Sequence, residues 1–500
     1  RGVAGAGKTL TLQEVQRGLV AANREVFACA PITSAAAVLR SEGFSTATTL
    51  ADFLQTGEAR HGPRLLGATV IVDEAGIAST RQGAELCALV EKQGARLILV
   101  GDSRQHSGVE AGDFLSILEN HSRLQTCELT DIRRQTAREY RDAVKLMAQG
   151  QARAGLVALD RLGWVKEDGA NYVKSAAEHY VERVAAKRDV ILVAPTWEEI
   201  HRLTDAVRAG LKKRSLLGTG HSTTVAEPLQ WTKAQGERTA NYRPGYLLTL
   251  HRSLHEAGLP AGATVEVTAV TRGAVRIRDS QGREATVSPP RHAAAWTASA
   301  PREIELAPGD RVLIRQNHRT AGLVNGEVLT LGSQETSGVW RARDAKGREK
   351  VIPTDFRAFA HGYAVTSHKA QGRTCDEVIV CAARLDAKAT YVAFSRARQQ
   401  ATGYTPDKAA LFDALPDSNR PRQAALDVWT PARSRRLRWA RSVIERVRQL
   451  WLSIVPVPEV TVAIATIKPV PVPRQSAASE DEAVHVHHTP SAAPVMRMRF

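Results

Sequence analysis

The chain has 500 residues, which exceeds one ordinary hydrophobic core and indicates two to four domains. Its hydrophobic content of 43% is that of a globular protein and excludes a wholly disordered chain. A formal net charge of +16 favours a polyanionic partner, of which nucleic acid is the usual one. A basic, solvated surface would give the same charge and stays open as the alternative.

The first nine residues contain a phosphate-binding loop. Gly2 to Thr9 fit the pattern G-x-x-x-x-G-K-[ST] without a mismatch. The glycines let backbone N–H groups turn toward a triphosphate, Lys8 reaches its β and γ oxygens, and the Thr9 hydroxyl ligates Mg²⁺. Leu10 to Ala22 is predicted to be a helix whose N-terminal end faces the same phosphates. The candidate nucleotide-binding residues are Gly2, Val3, Ala4, Gly5, Ala6, Gly7, Lys8, Thr9 and, further along the chain, Asp73.

Three apolar runs are predicted to be strands of a parallel, doubly wound sheet. They are Val26 to Ala30, Ala68 to Val72 and Arg96 to Val100, with helical segments between them. Each run leads straight into polar residues, and ligands of such sheets lie beyond the carboxyl ends of the strands. Because a phosphate-binding loop normally follows a strand, we expect the first strand of this domain to lie ahead of Arg1.

Polar side chains at the ends of the second and third runs are candidates for catalysis. Asp73 is placed to hold Mg²⁺ through its water shell, and Glu74 is placed to orient and deprotonate an attacking water. Gln105 follows the third run and is a candidate sensor of a γ-phosphate. The alternatives are that the two acids cap the next helix and that Gln105 is a surface amide in a turn.

A second sheet is predicted further along the chain, and an insertion divides it. Helical character over Thr136 to Ala148 precedes the sheet, which begins with Val190 to Val193. It resumes with Glu377 to Val380 and Thr390 to Arg398. The segment between these parts, about residues 215 to 359, has many glycines and short alternating strands, so it is predicted to be rich in β-structure.

The insertion contains an internal repeat. Arg278 to Glu284 (RDSQGRE) recurs as Arg343 to Glu349 (RDAKGRE), each with a D-x-x-G turn between two strand candidates. Two small β-barrels or one duplicated meander would explain the repeat. Coincidence of a common turn stays open.

The last eighty residues differ in character from the rest. Residues 421–451 are predicted to form a basic amphipathic helix, because Pro431 to Leu450 holds seven Arg against Glu445 alone. This helix either grips DNA or a partner, or packs as a plain terminal helix. Residues 452–500 are rich in Pro, Ser and Ala and are predicted to be disordered.

The five cysteines and the apolar stretches indicate the cellular compartment of the chain. No C-x-x-C pair occurs, which is typical of a reduced, cytoplasmic chain without structural zinc. Leu450 to Ile467 is apolar, but Pro456, Pro458 and Glu459 interrupt it, so we expect no membrane span.

Six motifs in one order give the chain a resemblance to superfamily-1 helicases, specifically to their RecD-like branch. Gly101 to Gly112 and Gly309 to Gly326 are similar to the helicase half of TraI/TrwC-type (MobF) conjugative relaxases. The resemblance extends from about Gly2 to Thr402. The motifs are the phosphate-binding loop, Asp73 to Gly76, Gly101-Asp102-x-x-Gln105, Arg134-Gln135, Thr366 to Gly372 and Tyr391 to Arg398.

The resemblance implies an α/β fold of two RecA-like P-loop domains with parallel sheets, the second interrupted by a small SH3-like β-barrel insertion. The first domain would be residues 1–126, the second residues 127–214 and 360–420, and the insertion residues 215–359. The implied function is an ATP-dependent 5′ to 3′ DNA helicase or translocase on single-stranded DNA, the motor part of a conjugative relaxase. ATP and Mg²⁺ are the implied cofactors.

The resemblance also implies a role for each site residue. Lys8, Thr9 and Asp73 would hold MgATP, with Thr9 and Asp73 as the metal ligands, and Glu74 would activate water. Gln105 would couple the γ-phosphate to the DNA groove. The candidate catalytic residues are Lys8, Glu74, Gln105, Arg134 and Arg396, of which the two arginines would close over the phosphates from the second domain.

The implied DNA contacts come from both domains. They fix the register of single-stranded DNA without reading its sequence. The implied partners are single-stranded DNA, duplex junctions, and conjugation (type IV secretion) or recombination proteins. The candidate DNA-binding residues are Pro31, Thr33, His106, Thr366, His368 and Lys369.

Two other functions stay open at this stage, namely a RecD-like repair or recombination helicase and a hydrolysis-dead module that binds single-stranded DNA. Translocation without unwinding also stays open, because Thr49 to Val70 leaves little room for a large strand-separating pin. A nicking activity is not predicted for this chain, since relatives carry that domain ahead of the residue that corresponds to Gly2.

Overall fold

The computed structural model describes residues 1–415 except 109–111, 123, 125 and 319. The predicted basic helix (421–451) and tail (452–500) lie outside these residues. The strands are β1 (Val26–Ala30), β2 (Thr48–Thr49), β3 (Thr69–Val72), β4 (Arg96–Leu99), β5 (Val165–Glu167), β6 (Val190–Val193), β7 (His221–Pro228), β8 (Leu247–Leu250), β9 (Thr264–Thr271), β10 (Ala274–Arg278), β11 (Glu284–Val287), β12 (Trp296–Leu306), β13 (Arg311–Ile314), β14 (Val328–Gln334), β15 (Trp340–Arg343), β16 (Glu349–Ile352), β17 (Phe359–His361), β18 (Ala364–Val365), β19 (Cys375–Cys381) and β20 (Ala397–Thr405). The α-helices are α1 (Lys8–Ala21), α2 (Thr33–Ser41), α3 (Leu50–His61), α4 (Thr80–Lys92), α5 (Phe114–His121), α6 (Arg138–Ala148), α7 (Ala152–Arg161), α8 (Tyr172–Ala185), α9 (Trp197–Lys213), α10 (Lys233–Glu237), α11 (Pro289–His292), α12 (Ser367–Ala370), α13 (Ala387–Phe394) and α14 (Lys408–Asp413).

The first lobe, which comprises β1–β4 and α1–α5, is built on a parallel sheet of order β2-β1-β3-β4. Strand β3 is buried along its whole length, as an apolar run covered on both faces must be. The phosphate-binding loop lies beside the end of β4, because the Gly2 N–H donates to the Gly101 carbonyl. On its other side, the Val3 N–H donates to the Leu129 carbonyl. The loop therefore lies at the carboxyl edge of the sheet.

The second lobe, which comprises β5, β6, β18–β20, α6–α9 and α12–α14, has a parallel sheet of order β18-β6-β19-β20-β5. The prediction of an α/β fold with parallel sheets is confirmed. The prediction that Thr390 to Arg398 belongs to the sheet was partly wrong, since α13 extends to Phe394 and β20 begins at Ala397. Asp386 caps this helix by accepting from the Ala389 N–H. An apolar run of four residues alone does not separate a buried helix from a strand.

The insertion, which comprises β7–β17 with α10 and α11, forms two antiparallel sheets. Their orders are β11-β10-β9-β8-β12-β7 and β16-β15-β14-β13-β17. Each sheet covers its own cluster of buried apolar side chains, one around Trp296 and the other around Trp340. Strand β17 pairs with β13, whereas β18 belongs to the sheet of the second lobe, so the chain leaves the insertion between His361 and Ala364.

The repeat in the sequence extends over a whole four-stranded meander. Strands β8–β11 recur as β13–β16, and the Gly262 N–H donates to Leu250 as the Gly326 N–H donates to Ile314. The turns match as well, because the carboxylates of Asp279 and Asp344 each accept two backbone N–H groups and one arginine side chain. The repeat is thus a duplicated meander rather than a coincidence of one common turn.

A buried ion pair joins the insertion to the second lobe. The Arg208 guanidinium on α9 donates to both carboxylate oxygens of Asp310, at 3.0 Å each. The Tyr363 hydroxyl donates to the same carboxylate at 2.6 Å, and the side chain of Asp310 is fully buried. A buried carboxylate needs this full set of donors to offset its desolvation. Within the described part of the chain, no helix combines the length and the apolar character that a bilayer crossing requires.

Candidate nucleotide site and nucleic-acid interface

The phosphate-binding loop has the backbone shape that its sequence predicts. Gly5 and Gly7 have φ angles of 80° and 83°, a region that favours glycine, and α1 begins directly after Gly7. A Cβ added at Gly5 would lie 2.7 Å from the Cβ of Arg134, so the loop is tightly packed against the segment that follows the first lobe. The Lys8 ammonium group lies over the loop and donates to the Gly2 carbonyl at 2.8 Å.

The two acids after β3 are buried side by side. Asp73 and Glu74 are each 8% exposed, and the Glu74 N–H donates to the Asp73 carboxylate at 2.9 Å. Burial raises the pKa of Asp73 to about 6, and the negative charge of Glu74 adds to the effect, while Lys8 opposes it. Two adjacent buried carboxylates fit a divalent cation, because carboxylate oxygen is the ligand type that Mg²⁺ prefers.

Gln105 lies at the end of the neighbouring strand, inside the protein rather than in a surface turn. It is 1% exposed, and its amide nitrogen donates to the Asp102 carboxylate at 3.2 Å. Its amide oxygen is buried and has no hydrogen-bond partner among the described residues. A buried acceptor without a donor is costly, so this oxygen is suited to a water or ligand in the site.

Of the two arginines predicted to come from the second domain, Arg396 lies in the interior and Arg134 is partly buried. The Arg134 side chain donates to the Ser395 carbonyl at 2.8 Å, and Arg396 is 2% exposed and donates to the Val392 carbonyl at 2.8 Å. Burial lowers the pKa of Arg134 to about 9, with a further contribution from the charge of Arg396. Burial also lowers the pKa of Arg396, and the negative charge of Glu74 opposes this. Neither guanidinium faces open solvent.

One hydrogen bond connects the two lobes directly at Glu74. Gln371, which follows α12, donates from its amide nitrogen to the Glu74 carboxylate at 3.2 Å. Gln371 is 1% exposed, and its amide oxygen has no partner within the described chain. The oxygen of Gln135 is likewise buried without a partner. Unpaired amide oxygens of Gln105, Gln135 and Gln371 therefore all lie in the buried region between the lobes.

Two of the predicted DNA contacts form a stacked pair across the lobes. The rings of His106 and His368 lie 3.6 Å apart at 14°, and the His106 ring nitrogen lies 3.0 Å from the Ser367 hydroxyl. His368 is exposed, whereas His106 is 5% exposed and lies beneath it. Burial lowers the pKa of His106 to about 3, with contributions from His368, Arg396 and Lys388. His106 is therefore neutral at physiological pH.

The remaining predicted DNA contacts lie at helix starts and at a cationic cluster. Pro31 is half-buried after β1, and Thr33 is the first residue of α2. The Thr366 hydroxyl caps α12 by accepting from the Lys369 N–H. The Lys369 ammonium lies 5.9 Å from the ring centre of Trp197, on the opening turn of α9.

The structure adds residues that the sequence did not single out. Tyr391 connects the lobes through its hydroxyl, and Gln371 reaches Glu74. Arg315 of the insertion lies 4.8 Å from the ring centre of Trp197. Tyr391 and Gln371 stand within quoted motifs, but only the packing of the two lobes shows what their side chains contact.

These features define a P-loop nucleotide-binding protein of two parallel-sheet lobes with a buried polar site between them. A family model described as an AAA domain matches residues 1–170. The chain is 25% identical over 406 residues to the "Probable conjugal transfer protein TraA" of Sinorhizobium fredii, which covers 80% of this chain and 30% of that protein. It is 24% identical over 421 residues to the conjugal transfer protein TraA of Rhizobium radiobacter, which covers 82% of this chain and 31% of that protein.

Pif1 helicases are among the solved structures that resemble the chain. Pif1 from Bacteroides with single-stranded DNA has a TM-score of 0.39 and 16% identity, covering 82% of this chain and 91% of that one. Pif1 from Bacteroides with ADP-AlF3 and single-stranded DNA has a TM-score of 0.42 and 15% identity, covering 85% and 91%. The chain spans about a third of the length of the curated relatives. The family model and the TraA relatives support the resemblance to a superfamily-1 helicase, most like the helicase half of a conjugative relaxase.

Proposed function

We propose that the chain is an ATP-hydrolysing motor that moves 5′ to 3′ along single-stranded DNA and serves as the helicase part of a conjugative relaxase. The observation that carries the proposal is the hydrogen bond from Gln371 to Glu74. Gln371 directly follows α12, which holds His368 and Lys369, two of the predicted DNA contacts. One short segment therefore joins Glu74, the proposed general base, to the proposed DNA contacts. We call these contacts the DNA track, and they are Pro31, Thr33, His106, Thr366, His368 and Lys369.

The proposed nucleotide site uses residues of both lobes. The loop amides and Lys8 hold the phosphates, and Glu74 takes the proton of the attacking water. Thr9 and Asp73 would hold Mg²⁺, which supplies positive charge to the phosphate oxygens when it is bound. The burial of Asp73 beside Glu74 supports this role, because a bound cation offsets both the desolvation of the carboxylate and the repulsion between the two acids.

The arginines supply the charge that comes from the second lobe. Arg134 packs against Gly5 of the loop, and the charge of Arg396 acts on Glu74 and Arg134. Guanidinium groups held in a dry site stabilise negative charge that develops on a transferring phosphoryl group far better than solvated ones. Because they come from the second lobe, hydrolysis requires the two lobes to be in contact.

A cationic cluster extends the proposed DNA track onto the insertion. Lys369 and Arg315 lie over Trp197, and Arg373 donates to the Gly326 carbonyl of the insertion. Burial, together with the charges of Arg315 and Arg373, lowers the pKa of Lys369 to about 8. A bound polyanion would neutralise these neighbouring, partly desolvated cations and so would be stabilised by them. The aromatic ring among them could stack on a nucleic-acid base.

The two lobes and the insertion correspond to three proposed domains. We propose residues 1–126 and residues 127–214 with 360–420 as the two RecA-like domains, and residues 215–359 as a small SH3-like β-barrel insertion that helps to hold DNA, with the later boundary moved to the end of β17 at His361. The duplicated meander supports two barrel units, since each repeat covers its own apolar cluster. We further propose a cytoplasmic location and type IV secretion proteins as partners.

The direct test is ATP hydrolysis measured with and without single-stranded DNA. We expect strong stimulation by DNA in the wild-type chain and loss of turnover with retained nucleotide binding in Glu74→Gln. A chain that binds DNA but shows no stimulated hydrolysis would be the hydrolysis-dead module instead. Intact Lys8, Glu74, Gln105, Arg134 and Arg396 argue against that alternative.

Polarity and unwinding need separate assays. A 5′ to 3′ motor displaces streptavidin from the 3′ end of an oligonucleotide and not from the 5′ end. Helix α3 and a short 3₁₀ turn, Gly62–Leu65, occupy most of Thr49 to Val70. A forked duplex therefore distinguishes an unwinding motor from one that only translocates. Plasmid transfer and survival of DNA breaks in a deletion strain distinguish conjugation from repair.

A further inference from the structure

The hydroxyl of Tyr391 connects three parts of the site that come from both lobes. Tyr391 lies on α13 of the second lobe and is 1% exposed. Its oxygen accepts from the Ala4 N–H of the phosphate-binding loop at 2.7 Å. Its proton is donated to the Asp102 carboxylate of the first lobe at 2.9 Å. The donor and acceptor capacities of one hydroxyl are thus both used across the boundary between the lobes.

Asp102 also accepts a hydrogen bond from Gln105. The carboxylate oxygen of Asp102 that accepts from Tyr391 also accepts from the Gln105 amide nitrogen at 3.2 Å. A carboxylate cannot accept from an amide oxygen, so this bond fixes which end of the Gln105 amide faces Asp102. The amide oxygen must then face away, where it is buried and without a partner among the described residues. The orientation of Gln105 therefore depends on where Asp102 is held.

The hydroxyl is suited to hold Asp102 over the whole working pH range. Burial raises the pKa of Tyr391 well above its ordinary value, and the negative charge of Asp102 adds to this. Tyr391 accordingly stays protonated and remains a donor to the carboxylate. Only the neutral hydroxyl can also accept from Ala4 without carrying a second negative charge into the site.

We propose that Tyr391 is a positioning residue that makes the alignment of Gln105 and of the phosphate-binding loop conditional on contact between the lobes. This inference rests on the proposed ATP-hydrolysing function. When the second lobe moves away, Ala4 loses its acceptor, and Asp102 keeps only its donors within the first lobe, the Arg104 N–H and the Gln105 amide. The first lobe alone therefore holds both groups less firmly. Premature hydrolysis by an open molecule is thereby suppressed.

The test compares wild type with Tyr391→Phe, which keeps the ring in place and removes both hydrogen bonds. The first readout needs no nucleotide, because hydrogen exchange at the Ala4 amide reports its bond to Tyr391. We expect that amide to exchange about tenfold faster or more in the variant. The second readout is kinetic, and we expect kcat for ATP hydrolysis to fall about 10- to 100-fold while KM for ATP stays within about threefold.

A matched control separates this role from loss of any buried hydroxyl. Tyr363→Phe also removes a buried tyrosine hydroxyl that donates to a carboxylate, that of Asp310, away from the nucleotide site. We expect it to lower the melting temperature without changing Ala4 exchange or kcat. Asp102→Asn tests whether Tyr391 acts through Asp102. The double variant with Tyr391→Phe should reduce kcat no further than the more severe single change.

The outcomes of this experiment are separable. Unchanged Ala4 exchange in Tyr391→Phe, or a kcat within about twofold of wild type, overturns the inference while leaving the proposed function in place. Additive losses in the double variant also overturn it, since Tyr391 would then not act through Asp102. A wild-type chain without DNA-stimulated hydrolysis removes the proposed function, and the exchange measurement alone then decides whether Tyr391 holds the loop.

Discussion

Replacing Gln371 by Met tests whether DNA bound at the DNA track stimulates ATP hydrolysis through the hydrogen bond from Gln371 to Glu74. The change keeps the length of a buried, unbranched side chain and removes the N–H that Glu74 accepts at 3.2 Å. A hydrogen bond to a charged group contributes about 1.5–3 kcal/mol, which corresponds to about 10- to 150-fold in rate if it is formed fully in the transition state. We therefore expect the DNA-stimulated kcat to fall by about that factor.

The assay is steady-state ATP hydrolysis over a titration of single-stranded DNA. Affinity for DNA should stay within about threefold, because the DNA contacts on α12 are retained. The ratio of stimulated to basal kcat should approach one. Gln399→Met is the matched control, since Gln399 is an exposed amide on β20, and it should behave as wild type. Full stimulation in Gln371→Met would refute the proposed link between the track and Glu74.

Four further changes test the packing of the site and of the insertion beside it. Gly5→Ala should destabilise the chain by about 2–4 kcal/mol in denaturant unfolding, because of its positive φ and its approach to Arg134. Gly18→Ala, at an open position inside α1, should instead stabilise it by about 0.5–1 kcal/mol. His106 has a folded pKa of about 3 against 6.5, so below pH 6.5 the unfolded chain binds a proton that the folded chain does not. Stability should thus fall by about 1.4 kcal/mol per pH unit from this group below pH 6.5, and His106→Phe should lack this slope in unfolding curves at pH 7 and pH 5.5. Asp310→Ala should cost about 3–5 kcal/mol by thermal and denaturant unfolding, since it leaves a buried guanidinium without its carboxylate, and a loss below about 1 kcal/mol would contradict that assignment.

Local patterns predicted the elements that carry the motifs. The runs that became β1, β3, β4 and β6 are short and β-branched or apolar, and they end in polar residues, so a strand at the edge of a ligand site was the natural prediction. The helix after the phosphate-binding loop was also predicted, and α1 begins at Lys8. These features depend on neighbours within a few positions.

Features that depend on long-range packing could not be predicted in the same way. The apolar residues after Thr390 suit a strand or a helix equally, and the cap from Asp386 was the overlooked signal for α13. Ala4 and Tyr391 are 387 positions apart, so no spacing rule indicates their hydrogen bond. The repeated turn was visible in the sequence, and a duplicated meander was one explanation for it. The strands around the turn differ too much in side chains to separate that explanation from coincidence.

The most direct test of a catalytic site shared by the two lobes is single-turnover ATP hydrolysis by Arg396→Lys in the presence of single-stranded DNA. Lysine keeps the positive charge but cannot reproduce a planar guanidinium, and melting curves establish that the variant is folded. We expect retained ATP binding and a hydrolysis rate reduced at least about 1,000-fold, because an arginine supplied from the second lobe stabilises the transition state. A folded variant that hydrolyses ATP at close to the wild-type rate would contradict the claim that both lobes form one site.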